Sequence, residues 1–480
     1  MISTDTLLLF FLVVTSLPVF AISYNYVVLA IASLRYNAKI EGIKKRLNKP
    51  INPYKVTVII SSFNERYVIE RSINAVASID YPKDRLQIIV ADDSTDETYN
   101  IVKGRAGELL AKGYDIHIVH REKRGGFKSG ALNNALKFAK GEYILIMDSD
   151  SIPPKDILMK SLPFMGEDHS FLSFKADHVN RSYNWTTRAC ALAVDLNDTV
   201  EGIGRFCLNV PFCLNGGHSL IRKDHLEQVG GWSPDIIVDD RELSCKLFSS
   251  GKNGFFVRDF AIPVEDPPLF EAWKRQTART AEGAGQCVRK HLLEIWRSKI
   301  SLVWKMELSS LIIWPLASIG WLVTTYVAAL GLIFKFQVAP GLFQNPIYIA
   351  LVTIPAIITL IVPLYVLRLY GQSIRKNLQG YILMPYYQAS MAITNSISFV
   401  RGIFGLRHDY FRTPKYGLKG KEGDWKERYK IGMNKMSYLE LLTALASGVL
   451  GTVAFFNLSY FLGLNLLGFF VITLKSLYMR

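Results

Sequence analysis

Two kinds of apolar pattern divide the chain. Long unbroken apolar runs lie toward its ends, and short β-branched runs alternate with helical periodicity in its middle. The first long run, Leu7 to Leu34, is interrupted only by uncharged residues. It exceeds the ~7–15 residues of a signal-peptide core, and no small-residue cleavage site stands out. Residues 1–34 are therefore expected to form a retained membrane anchor. Later runs at Leu308–Phe334, Pro346–Leu367, Leu439–Phe456 and Leu458–Leu474 each approach or exceed the ~17–25 residues a span needs. A buried core helix can mimic one such run but rarely four. Residues 296–480 thus read as a membrane region with about four spans.

Between the runs, residues 51–295 read as one α/β domain. Strands are predicted at Val56–Ser61, Leu86–Ala91, Ile116–Val119 and Tyr143–Met147, with helices at Tyr67–Ala77, Thr95–Ala111 and Ser129–Ala139. Repeated β-α-β units with wholly apolar strands imply a mostly parallel sheet covered on both faces. Beyond Pro154 the alternation loosens, and Phe171–Phe174 and Phe212–Ile221 are less regular strand-like pieces. No internal repeat marks a duplicated transporter half.

Charge orients the spans. The net charge of +15 is concentrated in a few stretches. Arg35 to Lys55 holds seven basic residues against Glu41, and Arg401 to Lys435 holds ten against four acids. The positive-inside bias places Arg35–Lys305, Arg368–Asn377 and Arg401–Lys435 in the cytosol, with the N-terminus outside and five spans. Tyr381–Val400 would break this pattern as a span, so 381–400 is expected to lie along the cytosolic face. No basic helix or aromatic RNA platform accompanies the charge, which argues against nucleic-acid binding. Cys190, Cys207, Cys213, Cys245 and Cys287 form no Cys-x-x-Cys pair, so free thiols are expected rather than zinc or disulfides.

The chemistry gathers where predicted strands end. Tyr143–Met147 runs into Asp148-Ser149-Asp150, and Pro153-Pro154 then force a loop. Two hard oxygen ligands there suit Mg²⁺ or Mn²⁺ held against a diphosphate. Open α/β sheets bind ligands at that end of their strands. The first strand ends near Asn64-Glu65 and the second at Asp92-Asp93, corners that equally suit helix capping. After the third strand, Arg124-Gly-Gly-Phe-Lys128-Ser-Gly130 opens a helix with glycines and cations, a combination suited to a diphosphate. Further on come Asn215-Gly-Gly-His218 and Val238-Asp239-Asp240. A general base needs only one of these acids aimed into a cleft. Gln276, Arg279, Gly283 and Gln286 share one helical face.

In order, Asn64-Glu65, Asp92-Asp93, Lys128-Ser-Gly-Ala-Leu-Asn133, Asp148-x-Asp150, Val238-Asp239-Asp240 and Gln276-x-x-Arg279 resemble glycosyltransferase family 2. The resemblance is to its membrane-embedded members, the cellulose, glucomannan and hyaluronan synthases and ceramide glucosyltransferase. It covers Val56–Gln286, and the flanking spans fit that architecture. The resemblance implies a cytosolic GT-A domain for nucleotide-diphospho-sugar transfer, inserted between transmembrane helices. It implies Asp92 or Asp93 at the nucleotide base, Asp148 and Asp150 at the metal-diphosphate, and Asp240 as catalytic base. Asp239, Gln276 and Arg279 join the catalytic set, and Asn64, Glu65, Lys128 and Asn215 the substrate-binding set. Unequal roles are expected for the pair, Asp150 on the metal and Asp148 nearer the ribose or donor sugar. Phe411-Arg-Thr413-Pro-Lys415, within the basic loop 401–436, resembles the synthases' gating loop that covers the nucleotide.

Two departures stand out. Thr280 replaces the tryptophan of the Gln-x-x-Arg-Trp motif, and Asp239 replaces a glutamate. Loss of that stacking platform weighs against a long sugar-polymer acceptor. Trp273 replaces it only with a different turn of the helix. The reading is inverting transfer from a nucleotide-diphosphate sugar, UDP-sugar favoured and GDP-mannose allowed, at the cytosolic membrane face. The acceptor is a growing polysaccharide or a lipid. Alternatives are a single-addition glycolipid transferase and an inactive membrane scaffold.

Overall fold

A computed structural model describes the chain apart from residues 1–3, 46–53, 166–168, 335–345, 407–411, 426–431, 433–434, 457–459 and 479–480. Its centre is a seven-stranded sheet: β1 (Val56–Ser62), β2 (Leu86–Asp92), β3 (Asp115–His120), β4 (Tyr143–Asp148), β5 (Phe171–His178), β6 (His218–Arg222) and β7 (Gly254–Val264). The spatial order is β3-β2-β1-β4-β6-β5-β7. β1 pairs in parallel with β2 and β4, and β2 with β3. Helices cover both faces, so these strands can be apolar throughout. Val58, Ile59, Ile60, Ile88, Ile89, Val90, Ile144 and Leu145 are fully buried, each contributing about 1.5–3 kcal/mol relative to exposure.

The predicted elements of the first half are present with shifted ends. The helices run Ile69–Ala77, Thr98–Ala111 and Phe127–Leu136. The second half differs more. Of Phe212–Ile221 only His218 onward is strand, and β6 runs antiparallel to both neighbours. Residues 212–217 instead form a loop that turns back at Gly216-Gly217.

The apolar runs do not all become straight helices. Among the described residues, Phe10–Ser33 and Met436–Phe456 are long and apolar enough to cross a membrane. Leu308–Phe334, read as one span, is broken. Helices Leu302–Ile313 and Pro315–Gly331 meet at 62°, where Pro315 has no N–H to continue the ladder. Tyr381–Val400 lies inside one helix, Ile374–Phe404, packed along helix Phe270–Arg297. Their backbones touch so closely that a Cβ on Gly285 would sit 2.2 Å from the Phe399 carbonyl oxygen. All five cysteines are free.

The N-terminal helix Thr4–Ser33 is fastened to the rest of the chain. Asn25 donates to Glu307 at 3.2 Å, and the Thr15 and Thr324 hydroxyls lie 3.0 Å apart. The Leu29 carbonyl abuts Gly204 in a π-helical stretch, Asn197–Gly204, which prolongs helix Trp185–Leu196. Just beyond, Tyr36 is buried in the sheet's own core, and its hydroxyl accepts the Arg258 N–H at 2.9 Å.

Candidate active site

Parallel register brings the chemistry to one sheet edge. Ser62 aligns with Asp92, Ser61 with Asp148, and Asp92 with His120. Beyond that edge lies a cleft of about 280 Å³. Its walls carry the carboxylates of Glu65, Asp93, Asp148, Asp150, Asp239 and Asp240, and the cations Arg124, Lys128, Arg279, Arg412 and Lys415. Five distant pieces meet there: the strand corners, the Asn215–Gly217 loop, the start of helix Asp239–Ser249, helix Phe270–Arg297 and the segment 412–415.

The two corner acids have separated. Asp92 is buried beneath the wall, accepting from Ser94 and lying 2.8 Å from His120 Nδ1. Asp93 faces the cleft, with Arg121 Nε and Nη2 on its two oxygens at 2.7 and 2.5 Å. Asn64 lies outside the cleft lining. It has a left-handed backbone, φ 57°, which asparagine tolerates better than most residues. Its side chain accepts the Thr95 N–H and its own N–H donates to Ser94, tying the first two corners together. Glu65 is buried at the rim, 2.9 Å from Arg412. Burial lifts its carboxyl to about 8 against the opposing pull of that guanidinium.

Asp148 closes β4, and Asp150 lies in the turn beyond it. Lys128 Nζ donates to Asp148 Oδ1 at 2.7 Å and to the Gly216 carbonyl at 3.1 Å. Burial opposes the charged carboxylate, but Lys128 holds it well below the usual range. About 41% of the Asp148 side chain faces open space. Gly217 is needed opposite, because a Cβ there would lie 2.2 Å from Asp148 Oδ2. Asp150 is almost wholly buried. Its Oδ2 accepts the Glu265 N–H at 2.8 Å and meets Lys415 Nζ at 2.8 Å. Burial works against the Lys415 charge, yet Asp150 raises its pKa above that of an ordinary lysine.

Opposite these acids, Val238 precedes helix Asp239–Ser249 and turns both Asp239 and Asp240 toward the cleft. Asp239 Oδ2 lies 3.7 Å from Lys128 and is a buried oxygen without a hydrogen-bond partner. Burial lifts its carboxyl to about 6; Lys128 opposes this and Asp240 adds to it. Asp240 is more open, its Oδ1 accepting the Arg241 N–H at 2.6 Å. Gln276, Arg279 and Thr280 project from the long helix into the cleft, and Gln276 Oε1 is another unpartnered buried oxygen. Gln286 fixes the approach to Val238 by accepting the Ile237 N–H at 2.9 Å. Trp273 packs on Phe270 and Tyr387 outside the lining, so it supplies no platform in place of Thr280.

Asn215 is a loop anchor with its amide donating to the Phe174 carbonyl at 3.3 Å, and it also borders the cleft. Neighbouring His218 is buried, which lowers its pKa to about 4, and its Nε2 lies 3.1 Å from Ser151 Oγ. Thr413 lies in the wall with an unpartnered hydroxyl, whereas Phe411 lies outside the described residues. Three contributors carried no expectation: Phe63, whose ring sits 3.5 Å under the Arg124 guanidinium, Arg121, and Glu265. Glu265 did leave a trace in the sequence. Glu265-Asp266-Pro267-Pro268 again places acids at a strand end before paired prolines, as Asp148 to Pro154 does.

The donor set suits a hard divalent ion in part. Asp148 and Asp150 offer carboxylate oxygens, each with one oxygen held by a lysine. Among the described residues no cluster of three or more His, Cys, Asp or Glu is arranged to hold a metal. The two free carboxylate oxygens therefore fit an ion whose shell is completed by diphosphate oxygens and water.

Residues 57–230 match the family described as Glycosyl transferase family 2. Glucomannan 4-beta-mannosyltransferase 1 of Oryza sativa subsp. japonica is 32% identical over 256 residues, 52% of this chain and 49% of its own. Glucomannan 4-beta-mannosyltransferase 2 of Arabidopsis thaliana is 33% identical, over 52% and 48%. The chain thus spans about half the length of the curated relatives it matches. A mannosyltransferase from Pyrobaculum calidifontis, solved with GDP-Man and Mn²⁺, has a similar fold. Its TM-score is 0.50 at 20% identity, covering 81% of this chain and 100% of that one.

Proposed function

Since the chain carries a glycosyltransferase family 2 domain, we propose that it transfers a sugar from a nucleotide-diphosphate donor to an acceptor hydroxyl at the membrane surface, inverting the anomeric centre. The observation that carries this is the meeting of strand-end acids, Asp240, Gln276, Arg279 and Lys415 around one cleft, from segments far apart in sequence. The curated relatives named above are mannosyltransferases, so GDP-mannose is the donor favoured here over a UDP-sugar.

Asp240 takes the proton of the acceptor hydroxyl, which attacks the anomeric carbon on the face opposite the diphosphate. No covalent intermediate forms, so an α-linked donor gives a β-linked product. Lys128, Arg279 and Lys415 balance the negative charge that grows on the leaving diphosphate. Asp148 and Asp150 would hold Mg²⁺ or Mn²⁺, which would supply Lewis-acid stabilisation of that diphosphate. Asp93 and the Phe63–Arg124 stack receive the nucleoside end. Segment 412–418 covers the donor, and the basic loop and the apolar helices keep the cleft at the cytosolic membrane face.

A second reading keeps the chemistry and changes the acceptor. Thr280 stands in the cleft where the family's tryptophan platform belongs, which favours one addition to a lipid over chain growth. Membranes containing the protein, given radiolabelled GDP-mannose, UDP-glucose and UDP-GlcNAc with Mg²⁺ or Mn²⁺, distinguish these outcomes. Label in polymer supports synthesis, and label in the lipid fraction supports single addition. No incorporation from any donor rejects the enzyme reading in favour of a scaffold.

A further inference from the structure

Arg412, Thr413 and Lys415 of segment 412–425 line the cleft, and one residue, Glu265, meets that segment at three points. The Glu265 carboxylate accepts two successive alternate N–H groups, Tyr416 at 2.6 Å on Oε1 and Leu418 at 2.9 Å on Oε2. Its carbonyl accepts Lys415 Nζ at 2.7 Å. Its own N–H donates to Asp150 Oδ2 at 2.8 Å, the same oxygen that pairs with Lys415. Glu265 is 1% exposed, and Tyr416 and Leu418 are completely buried. A buried carboxylate without such donors is costly, so this side chain is satisfied only while the segment is seated. Side contacts complete the seat: Arg412 on Glu65, Gly420 N–H on the Val179 carbonyl, Tyr183 hydroxyl on the Gly423 carbonyl, and Trp425 against Leu269 and Ala272.

We propose that Glu265 is a positioning residue that clamps segment 412–425 over the cleft and thereby sets where Lys415 stands relative to Asp150. The clamp acts through backbone N–H groups, so it fixes the path of the segment whatever side chains it carries. Asp150 and Lys415 are joined through a single residue at the end of β7, and seating the segment and ordering the acid turn become one event. This rests on the function proposed above for its kinetic consequence, but not for its structural one.

Limited trypsin digestion of the full-length protein in nanodiscs tests it, because Lys419 and Lys421 are exposed on the seated segment. Glu265→Gln removes the charge and one acceptor. Leu418→Pro removes a donor from the other side of the clamp without touching the sheet. Each is expected to speed cleavage at Lys419 or Lys421 by about tenfold, through a larger open population. Each is expected to raise donor KM by about tenfold while kcat at saturating donor falls less than threefold, the mark of a positioning role. Glu265→Asp, which keeps the charge, lies between wild type and Gln. The double variant Glu265→Gln/Leu418→Pro falls short of the product of the two single effects, because both weaken the same two-point contact. Wild-type cleavage and KM in both single variants overturn the clamp, as do fully additive effects in the double. Faster cleavage in the variants of a protein that turns over no nucleotide sugar keeps the clamp and rejects the glycosyltransferase reading.

Discussion

Two lysine–aspartate pairs stand in the cleft at almost the same length, Lys128–Asp148 at 2.7 Å and Lys415–Asp150 at 2.8 Å. Their origins differ. Lys128, at the start of helix Phe127–Leu136, and Asp148, at the end of β4, are 20 residues apart and both belong to the α/β domain. Lys415 reaches Asp150 from a segment outside the sheet domain and is held there by Glu265. Asp148 keeps an open face, whereas Asp150 is nearly buried in the cleft wall. One wall of the cleft is thus permanent, and the other is assembled by a long-range contact. A charge in the permanent wall can serve every step. A charge in the assembled wall serves only when the segment is seated.

The largest expected effect lies in the permanent wall. Asp240→Asn is expected to cut transfer by about 10³-fold or more, with nucleotide binding by calorimetry within threefold of wild type. Turnover at the wild-type rate removes Asp240 from the mechanism. Next, Lys128→Met is expected to lower kcat by about 10²-fold, while Lys415→Met acts chiefly on donor KM, by about tenfold. Equal kcat losses in the two variants break the distinction drawn between the walls.

The smallest effect is on stability, away from both walls. Asp198 is buried behind β5 and accepts the Ala176 N–H at 2.9 Å. Burial lifts its carboxyl to about 6, with Lys175 opposing. A folded-state value above the unfolded one stabilises at low pH. That contribution is complete below about pH 4 and is lost as pH rises through about 6. Asp198→Asn keeps an acceptor and does not titrate. Its melting temperature should match wild type near pH 4 and exceed it at pH 7.5, by an amount corresponding to roughly 2–3 kcal/mol. Parallel melting curves across that range remove the shift.

The permanent wall was legible in the sequence and the assembled wall much less so. Val56–Ser62, Leu86–Asp92 and Tyr143–Asp148 announce themselves as apolar runs, the last two ending in acids, and parallel register then aligns those ends. The helical spacing of Gln276, Arg279, Gly283 and Gln286 likewise fixes their common face. The direction of β6 has no local signature, since it depends on which neighbour the strand meets. Which of Asp92 and Asp93 faces the cleft depends on where His120 and Arg121 arrive. The bend at Trp314 was missed because an apolar run hides a proline unless its position is weighed. Glu265 was missed because its partners lie about 150 residues away.

The seam between the N-terminal helix and the sheet domain has a consequence of its own. Leu29 against Gly204, Asn25 on Glu307 and Tyr36 in the sheet core leave no free swivel between them. Phe10–Ser33 is long and apolar enough to cross a bilayer, and with it there these ties would set the cleft at one height above the lipid. Under the proposed transfer, the standoff of an acceptor's hydroxyl from the membrane plane would then act as a ruler.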